Sequence, residues 1–214
     1  MGFVLPRLYV ILDAGLLRGQ AEEIAAQMTE AGVRLLQYRA KNDPARKLLE
    51  TSIRLAEVAR REGATLFVND RPDLAYLAGA HGVHVGQDDL DVEHARAIMG
   101  EGRWVGVSTH NLEQFQKAAG SSADYIAIGP IFATTTKAHP DPVVGTTLIR
   151  RIRPLTRKPV VAIGGIRLEN AAEVIEAGAD SVAVIGDILG AADPVARVRE
   201  FLQRLKAAKP AAGY

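Results

Sequence analysis

Short runs rich in Val, Ile and Leu recur along this chain, and each is followed by a stretch with helical character. The runs occupy residues 8–12, 35–39, 65–69, 82–85, 104–107, 125–128, 160–163 and 181–185. Most are apolar at nearly every position, the pattern of strands covered on both faces. Between them, Ala21, Ile24, Ala25, Met28 and Ala31 follow i, i+3, i+4, i+7 spacing. Val195, Val198, Phe201, Leu202 and Leu205 form a similar stripe after the last run. Residues 44–62 read as a long helix with Asp43 as N-cap and Pro44 at the first helical position. The segment between Asn69 and Gly82 leaves room for a helix of only about two turns. An Ala-Gly phrase precedes three of the strands, at Ala31-Gly32, Ala78-Gly79 and Ala177-Gly178. A helix that stops at Gly and turns into a strand is half of a βαβ unit. Eight strands alternating with about eight helices predict an α/β protein, a single-domain (β/α)8 TIM barrel, with an open doubly wound sheet as the alternative.

The chain has 214 residues, of which 48% are hydrophobic, enough for one substantial core. The expected barrel domain covers residues 1–205, and residues 206–214, rich in Ala, Lys and Pro, read as a disordered tail. A net charge of +1 gives no support for nucleic-acid or membrane-surface binding. The absence of cysteine excludes disulfides, thiolate metal sites and a Cys nucleophile, and it fits a cytoplasmic protein. Residues 1–7 lack the features of a signal peptide. No apolar run reaches the ~18 residues of a membrane span.

In a barrel, polar residues at the carboxyl ends of the strands face the active site. Here the second strand ends in Gln37-Tyr38-Arg39-Ala40-Lys41, with Gln37 and Arg39 on one face. The third ends in Asn69-Asp70, and the fourth runs through His84 to Asp88-Asp89. The fifth ends in Ser108-Thr109-His110. After the sixth comes Gly129-Pro130-Ile131-Phe132-Ala133-Thr134-Thr135-Thr136-Lys137, which has neither helical nor strand periodicity. Its hydroxyls, free backbone N–H groups and ammonium suit an anion. Arg39, Lys41 and Lys137 supply cations, and Asp70 and Asp89 supply carboxylates. A diphosphate carried with Mg²⁺ needs both, because carboxylates and phosphate oxygens share a hard metal while Lys and Arg neutralise the remaining charge. Gly164-Gly165 after the seventh strand and Gly186 after the eighth allow close backbone approach to a second phosphate. His84 is expected to face the barrel interior, and His110 reads either as an acid/base or as a packed polar residue. His81, His94 and His139 show no zinc-ligand spacing. Neither glycine-rich nucleotide motif is present.

These segments, in this order, resemble the thiamine-phosphate synthase (thiamine-phosphate pyrophosphorylase) family. The likeness rests on the stretches ending the second to sixth strands and on Ala162-Ile163-Gly164-Gly165-Ile166, and it spans nearly the whole chain. It implies a transferase of thiamine biosynthesis. The reaction couples 4-amino-2-methyl-5-hydroxymethylpyrimidine diphosphate to a thiazole phosphate, giving thiamine phosphate and pyrophosphate. Carried over by position, Gln37, Tyr38, Arg39, Ala40, Lys41, Asn69, Ser108 and Lys137 bind the pyrimidine diphosphate. Lys137, Ser108, Arg39 and Lys41 among them are the catalytic set. Thr134, Thr135, Thr136, Gly165, Ile185 and Gly186 bind the thiazole phosphate, and Asp70 and Asp89 hold one Mg²⁺ per active site. Where many members carry Ser after the last strand, this chain has Gly186. The partners implied are small molecules, with no nucleic acid and no membrane, and a homo-oligomer stays open.

Three other readings stay open at this point. A thiazole tautomerase of the sister family shares the fold and uses a His near the position of His110, but needs neither the carboxylate pair nor the diphosphate-binding cations. A sugar-phosphate epimerase explains Gly164-Gly165 and Gly186 but not Asp70 with Asp89. A non-catalytic barrel that binds thiamine intermediates is separated from a synthase by a turnover assay.

Overall fold

A computed structural model describes residues 5–134 and 141–209. Eight parallel strands close into a barrel in sequence order: β1 (Leu8–Asp13), β2 (Leu35–Arg39), β3 (Thr65–Asn69), β4 (Gly82–Val85), β5 (Trp104–Thr109), β6 (Tyr125–Ile128), β7 (Val160–Ile163) and β8 (Ser181–Val184). The chain thus forms the expected (β/α)8 barrel. Helices follow the strands: α1 (Ala21–Glu30), α2 (Ala45–Arg61), α3 (Pro72–Leu77), α4 (Val92–Met99), α5 (Leu112–Ala119), α6 (Gly145–Ile152), α7 (Ala171–Glu176), α8 (Gly186–Leu189) and α9 (Pro194–Ala207). Closure follows from β1, which pairs with β2 through Val10↔Leu36 and with β8 through Val10↔Val184.

Strand alternation sorts the side chains into two cores. Leu8, Val10 and Leu12 of β1 face outward into the layer shared with the helices, while Tyr9 and Ile11 face the barrel axis. Tyr9, Phe67 and Tyr125 fill the interior with rings at centroid separations of 5.4–6.1 Å. Neighbouring strands make room for them. A Cβ at Gly82 would lie 2.4 Å from the Phe67 ring, and one at Gly106 would lie 2.0 Å from that of Tyr125. Truncating fully buried Phe67 to Ala would cost about 3–5 kcal/mol. The interior is therefore closed by packed rings below and left open above.

Local signals set three of the helix starts. Asp91, Asn111 and Asp193 accept the N–H three residues on and cap α4, α5 and α9. At α2 the expected cap moves by one residue. Pro44 takes the N-cap position in extended conformation without a side-chain cap, and Asp43 instead pairs with Lys47 at 3.1 Å. The helix α9 continues to Ala207, past residue 205, and Arg7 donates to the carbonyls of Leu205 and, at 2.7 Å, Ala208. Among the described residues no helix is long and apolar enough to cross a membrane.

Candidate active site

A cavity of about 710 Å³ opens at the carboxyl ends of the strands. Its first half is built by β1 to β5. Gln37 and Arg39 point into it from β2 because residues two apart share a strand face. Arg39 is held by an ion pair to Asp13, the last residue of β1, whose other oxygen accepts the Gly15 N–H at 2.9 Å. Lys41 lies 3.7 Å from Asp70. Asp70 follows β3 with φ +65°, unusual for a residue with a Cβ. Its N–H donates to the His84 carbonyl at 2.8 Å, which holds the turn and aims the carboxyl at the cavity. A strained position kept at a cavity mouth marks a site worth testing for function.

Asp70 shares a hydrogen bond with Asp89. Burial, and then the neighbouring Asp89, push the Asp70 carboxyl up to about 6, against the opposing pull of Lys41 and Arg39. Asp89 is oriented by the Gly86 N–H at 2.7 Å. Two carboxylates forced together gain from a cation between them. Among the described residues no three His, Asp or Glu side chains gather into a metal cage. The pair therefore suits a cation such as Mg²⁺, which takes one or two carboxylates and completes its shell with water and phosphate oxygens.

Asn69, Ser108 and His84 line the same wall. His84 is buried, stacks on Tyr125, and places its two ring nitrogens 2.7 Å from the Tyr125 hydroxyl and 2.8 Å from Ser108 Oγ. Burial lowers its pKa to about 4, so the ring is neutral near pH 7. The interior position expected from sequence is the one observed.

Backbone builds most of the other half. Ile131 N–H donates to the Ile163 carbonyl at 2.9 Å and Phe132 N–H to that of Gly164 at 3.0 Å, so the chain after β6 lies against the end of β7. Gly164 and Gly165 have φ of +94° and +65°. A Cβ would come within 2.5 Å of Pro130 Cα at the first and 2.4 Å of the Ala133 carbonyl at the second. These glycines are therefore required by conformation and by contact. Thr134, Ile185 and Gly186 also line this half, and Gly186 is the first residue of α8. His110 Nδ1 donates to the Gly129 carbonyl at 2.7 Å and lies 3.6 Å from Asp141, fastening the start of the loop.

Gln37, Arg39, Lys41, Asn69, Asp70, Asp89, Ser108, Thr134, Gly165, Ile185 and Gly186 thus border one cavity. Two expected residues do not place their side chains there. Tyr38 packs outward in the layer between barrel and helices, and Ala40 packs against the same layer. Strand alternation turns both away from Gln37 and Arg39. Thr135, Thr136 and Lys137 lie outside the described residues. The structure adds Asp13, Arg167 and Asp141 to the cavity surroundings. Asp13 stands just past the apolar run at residues 8–12, so that run carries no signal of its place at the end of β1. Arg167 follows the Gly164-Gly165 turn but carried no motif of its own.

The sequence model of the family described as thiamine monophosphate synthase matches residues 8–188. A thiamine-phosphate synthase of Koribacter versatilis is 52% identical over 209 residues, covering 95% of this chain and 98% of that protein. One of Chloroflexus aurantiacus is 44% identical over 196 residues, covering 91% and 90%. Among solved structures, a thiamine phosphate pyrophosphorylase from Pyrococcus furiosus superposes with a TM-score of 0.86 at 34% identity, covering 94% of this chain and 96% of that one.

Proposed function

The chain belongs to the thiamine monophosphate synthase family, a family of transferases, and we propose that it couples 4-amino-2-methyl-5-hydroxymethylpyrimidine diphosphate to a thiazole phosphate, releasing pyrophosphate. The observation that carries this reading is the meeting of Asp70 and Asp89 with Lys41 and Arg39 on one side of a cavity whose other side is glycine-rich backbone. Charged side chains of both signs suit a diphosphate with its counter-cation. Close-approach backbone suits a monophosphate.

In the proposed reaction the bond between the exocyclic methylene and the diphosphate oxygen breaks, and its electron pair leaves with the diphosphate. The aminopyrimidine ring stabilises the cation left behind, and the thiazole nitrogen then donates its lone pair to form the new C–N bond. Asp70 and Asp89 would hold one Mg²⁺ per active site, which supplies charge neutralisation to the diphosphate oxygens. Arg39, Lys41 and Lys137 balance the charge that develops on the leaving group, in a cavity where such contacts outweigh their value in water. Ser108 donates a hydrogen bond to the departing oxygen. Gln37 and Asn69 hold the pyrimidine. Thr134, Thr135, Thr136, Gly165, Ile185 and Gly186 receive the thiazole phosphate. Arg167, a cation on that side, is available to the same phosphate. No covalent nucleophile takes part.

The test compares Lys137→Ala with His110→Ala in the coupling reaction, followed by pyrophosphate release, and in a thiazole isomerisation assay. In the coupling reaction Lys137→Ala should lose on the order of 10²–10³-fold in kcat/KM. His110→Ala should lose far less, because its ring fastens the loop through Gly129. A wild type that only isomerises, and is silenced only by His110→Ala, would refute the synthase reading.

A further inference from the structure

Beneath the cavity floor runs a continuous line of hydrogen bonds that joins the end of β2 to the end of β5. Gln37 Nε2 donates to the Tyr9 hydroxyl at 2.7 Å, and Tyr9 lies 3.1 Å from the Tyr125 hydroxyl. Tyr125 lies 2.7 Å from His84 Nδ1, and His84 Nε2 lies 2.8 Å from Ser108 Oγ. Tyr9, Tyr125, Gln37 and His84 are all buried. Burial raises the pKa of both tyrosine hydroxyls, which keeps them protonated. The line crosses the barrel from β2 to β5, through β1, β6 and β4.

Such a line has only two proton orders. Each hydroxyl carries one proton, and a neutral imidazole carries one N–H and one bare nitrogen. With the Gln37 amide nitrogen facing Tyr9, the order runs in one direction. Tyr9 donates to Tyr125, Tyr125 donates to His84 Nδ1, and His84 Nε2–H donates to Ser108 Oγ. The Ser108 proton is then left to point into the cavity. If Gln37 turned its amide oxygen to Tyr9, every bond would reverse. The Ser108 proton would be spent on His84, and Ser108 would face the cavity only as an acceptor.

We infer, resting on the proposed role of Ser108, that Tyr9, Tyr125 and His84 are positioning residues that tie the hydrogen-bonding polarity of Gln37 to that of Ser108. With Gln37 Nε2 toward Tyr9, this order makes Ser108 a donor to the leaving diphosphate. A substrate that satisfies Gln37 in this sense thereby favours a donor at Ser108, three strands away at the end of β5. Neither residue needs to move, because the message is the direction of protons along a fixed line.

Two measurements test it. In ligand-free protein labelled with ¹⁵N-histidine, with His84→Gln used to identify the signals, His84 should be neutral with the proton on Nε2. A proton on Nδ1 would overturn the assigned order. The second measurement is a kinetic cycle of Tyr125→Phe, Ser108→Ala and the double variant. Tyr125→Phe keeps the buried ring and removes only the hydroxyl. It should lower kcat for coupling by about tenfold with little change in KM. On the Ser108→Ala background the same change should cost less than about twofold, because nothing remains for Tyr125 to act through. Equal losses on both backgrounds would assign Tyr125 to packing alone and overturn the proposal. Absence of coupling in the wild type would refute the functional reading instead, and the position of the His84 proton would still be decided by the spectrum.

Discussion

Around the mouth of the barrel, β1 to β5 deliver charged and amide side chains, whereas the chain after β6 and β7 delivers mainly backbone and glycine. Asp13, Arg39, Lys41, Asp70 and Asp89 form a linked set of ion pairs and hydrogen bonds on the first side. On the second, Gly129, Gly164 and Gly165 are pressed against neighbouring backbone so closely that a Cβ does not fit. The first half can lose a side chain and keep its shape. The second has little side chain to lose, so a substitution there must act through shape. Under the proposed reaction, the same kind of ligand, a phosphate, would be met by two designs with opposite mutational behaviour.

The largest expected effect falls on the charged half. Asp70→Ala and Asp89→Ala should each lower coupling by about 10³-fold or more in Mg²⁺ buffer. Both variants should keep the wild-type circular dichroism spectrum and melt no earlier, since each removes one of two carboxylates held together. Full turnover in either variant, or in excess EDTA, would remove the metal assignment.

Gly165→Ala should behave in the opposite way. The added methyl would meet the Ala133 carbonyl at 2.4 Å on a backbone of φ +65°. Loss of stability of about 1–3 kcal/mol is expected, together with weaker binding of the thiazole phosphate. Urea unfolding and calorimetric titration read the two effects separately. An alanine tolerated in both would show that this turn is not held as tightly as its contacts indicate.

Titration sharpens the contrast further. The Asp70 carboxyl lies near 6 when folded, against an ordinary value of 3.8. The folded state therefore holds the extra proton between those values, and this group alone makes the metal-free protein less stable as pH rises through that window. His84 acts with the opposite sign. Its folded value is about 4 against 6.5, so its contribution is lost as pH falls through that range. The two slopes partly cancel in the wild type. Asp70→Asn should remove one of them and leave stability rising more steeply from about pH 4 to 6, read as urea midpoints in EDTA. A curve parallel to that of the wild type would mean that Asp70 titrates normally.

The smallest effect is expected from adding a side chain to the backbone-built half. Gly186 is helical rather than left-handed, so Gly186→Ser brings no backbone strain. A hydroxyl there should tighten thiazole-phosphate binding by about 0.5–1.5 kcal/mol if one hydrogen bond is gained. Weaker binding in calorimetry would place the phosphate elsewhere.

Fold and site were legible to different depths. The eight strands could be read because a parallel strand buried on both faces must be apolar along its length, a local property. The helix cap at residue 43 was misplaced because an Asp before Pro suits a cap on paper, while the Asp43 carboxylate is engaged by Lys47 in space. The shared cavity of Gln37, Arg39, Asp70, Asp89 and Ser108 was legible because barrel topology sends every strand end to the same mouth. Tyr38 and Ala40 came along only as neighbours in a motif, and strand alternation turned them outward.

The chain on its own determined the repeating unit, its direction and the end at which chemistry gathers, since these follow from periodicity and from glycine and proline placed along the sequence. Only closure of the barrel decided who meets whom. Asp13 reached Arg39 because the end of β1 lies beside that of β2. Tyr9, Tyr125 and His84, distant in sequence, became one line of hydrogen bonds because three inward-facing positions share a buried interior in which polar atoms must find partners. Pairings of this kind depend on distances across the barrel, and no local pattern in the sequence carries them.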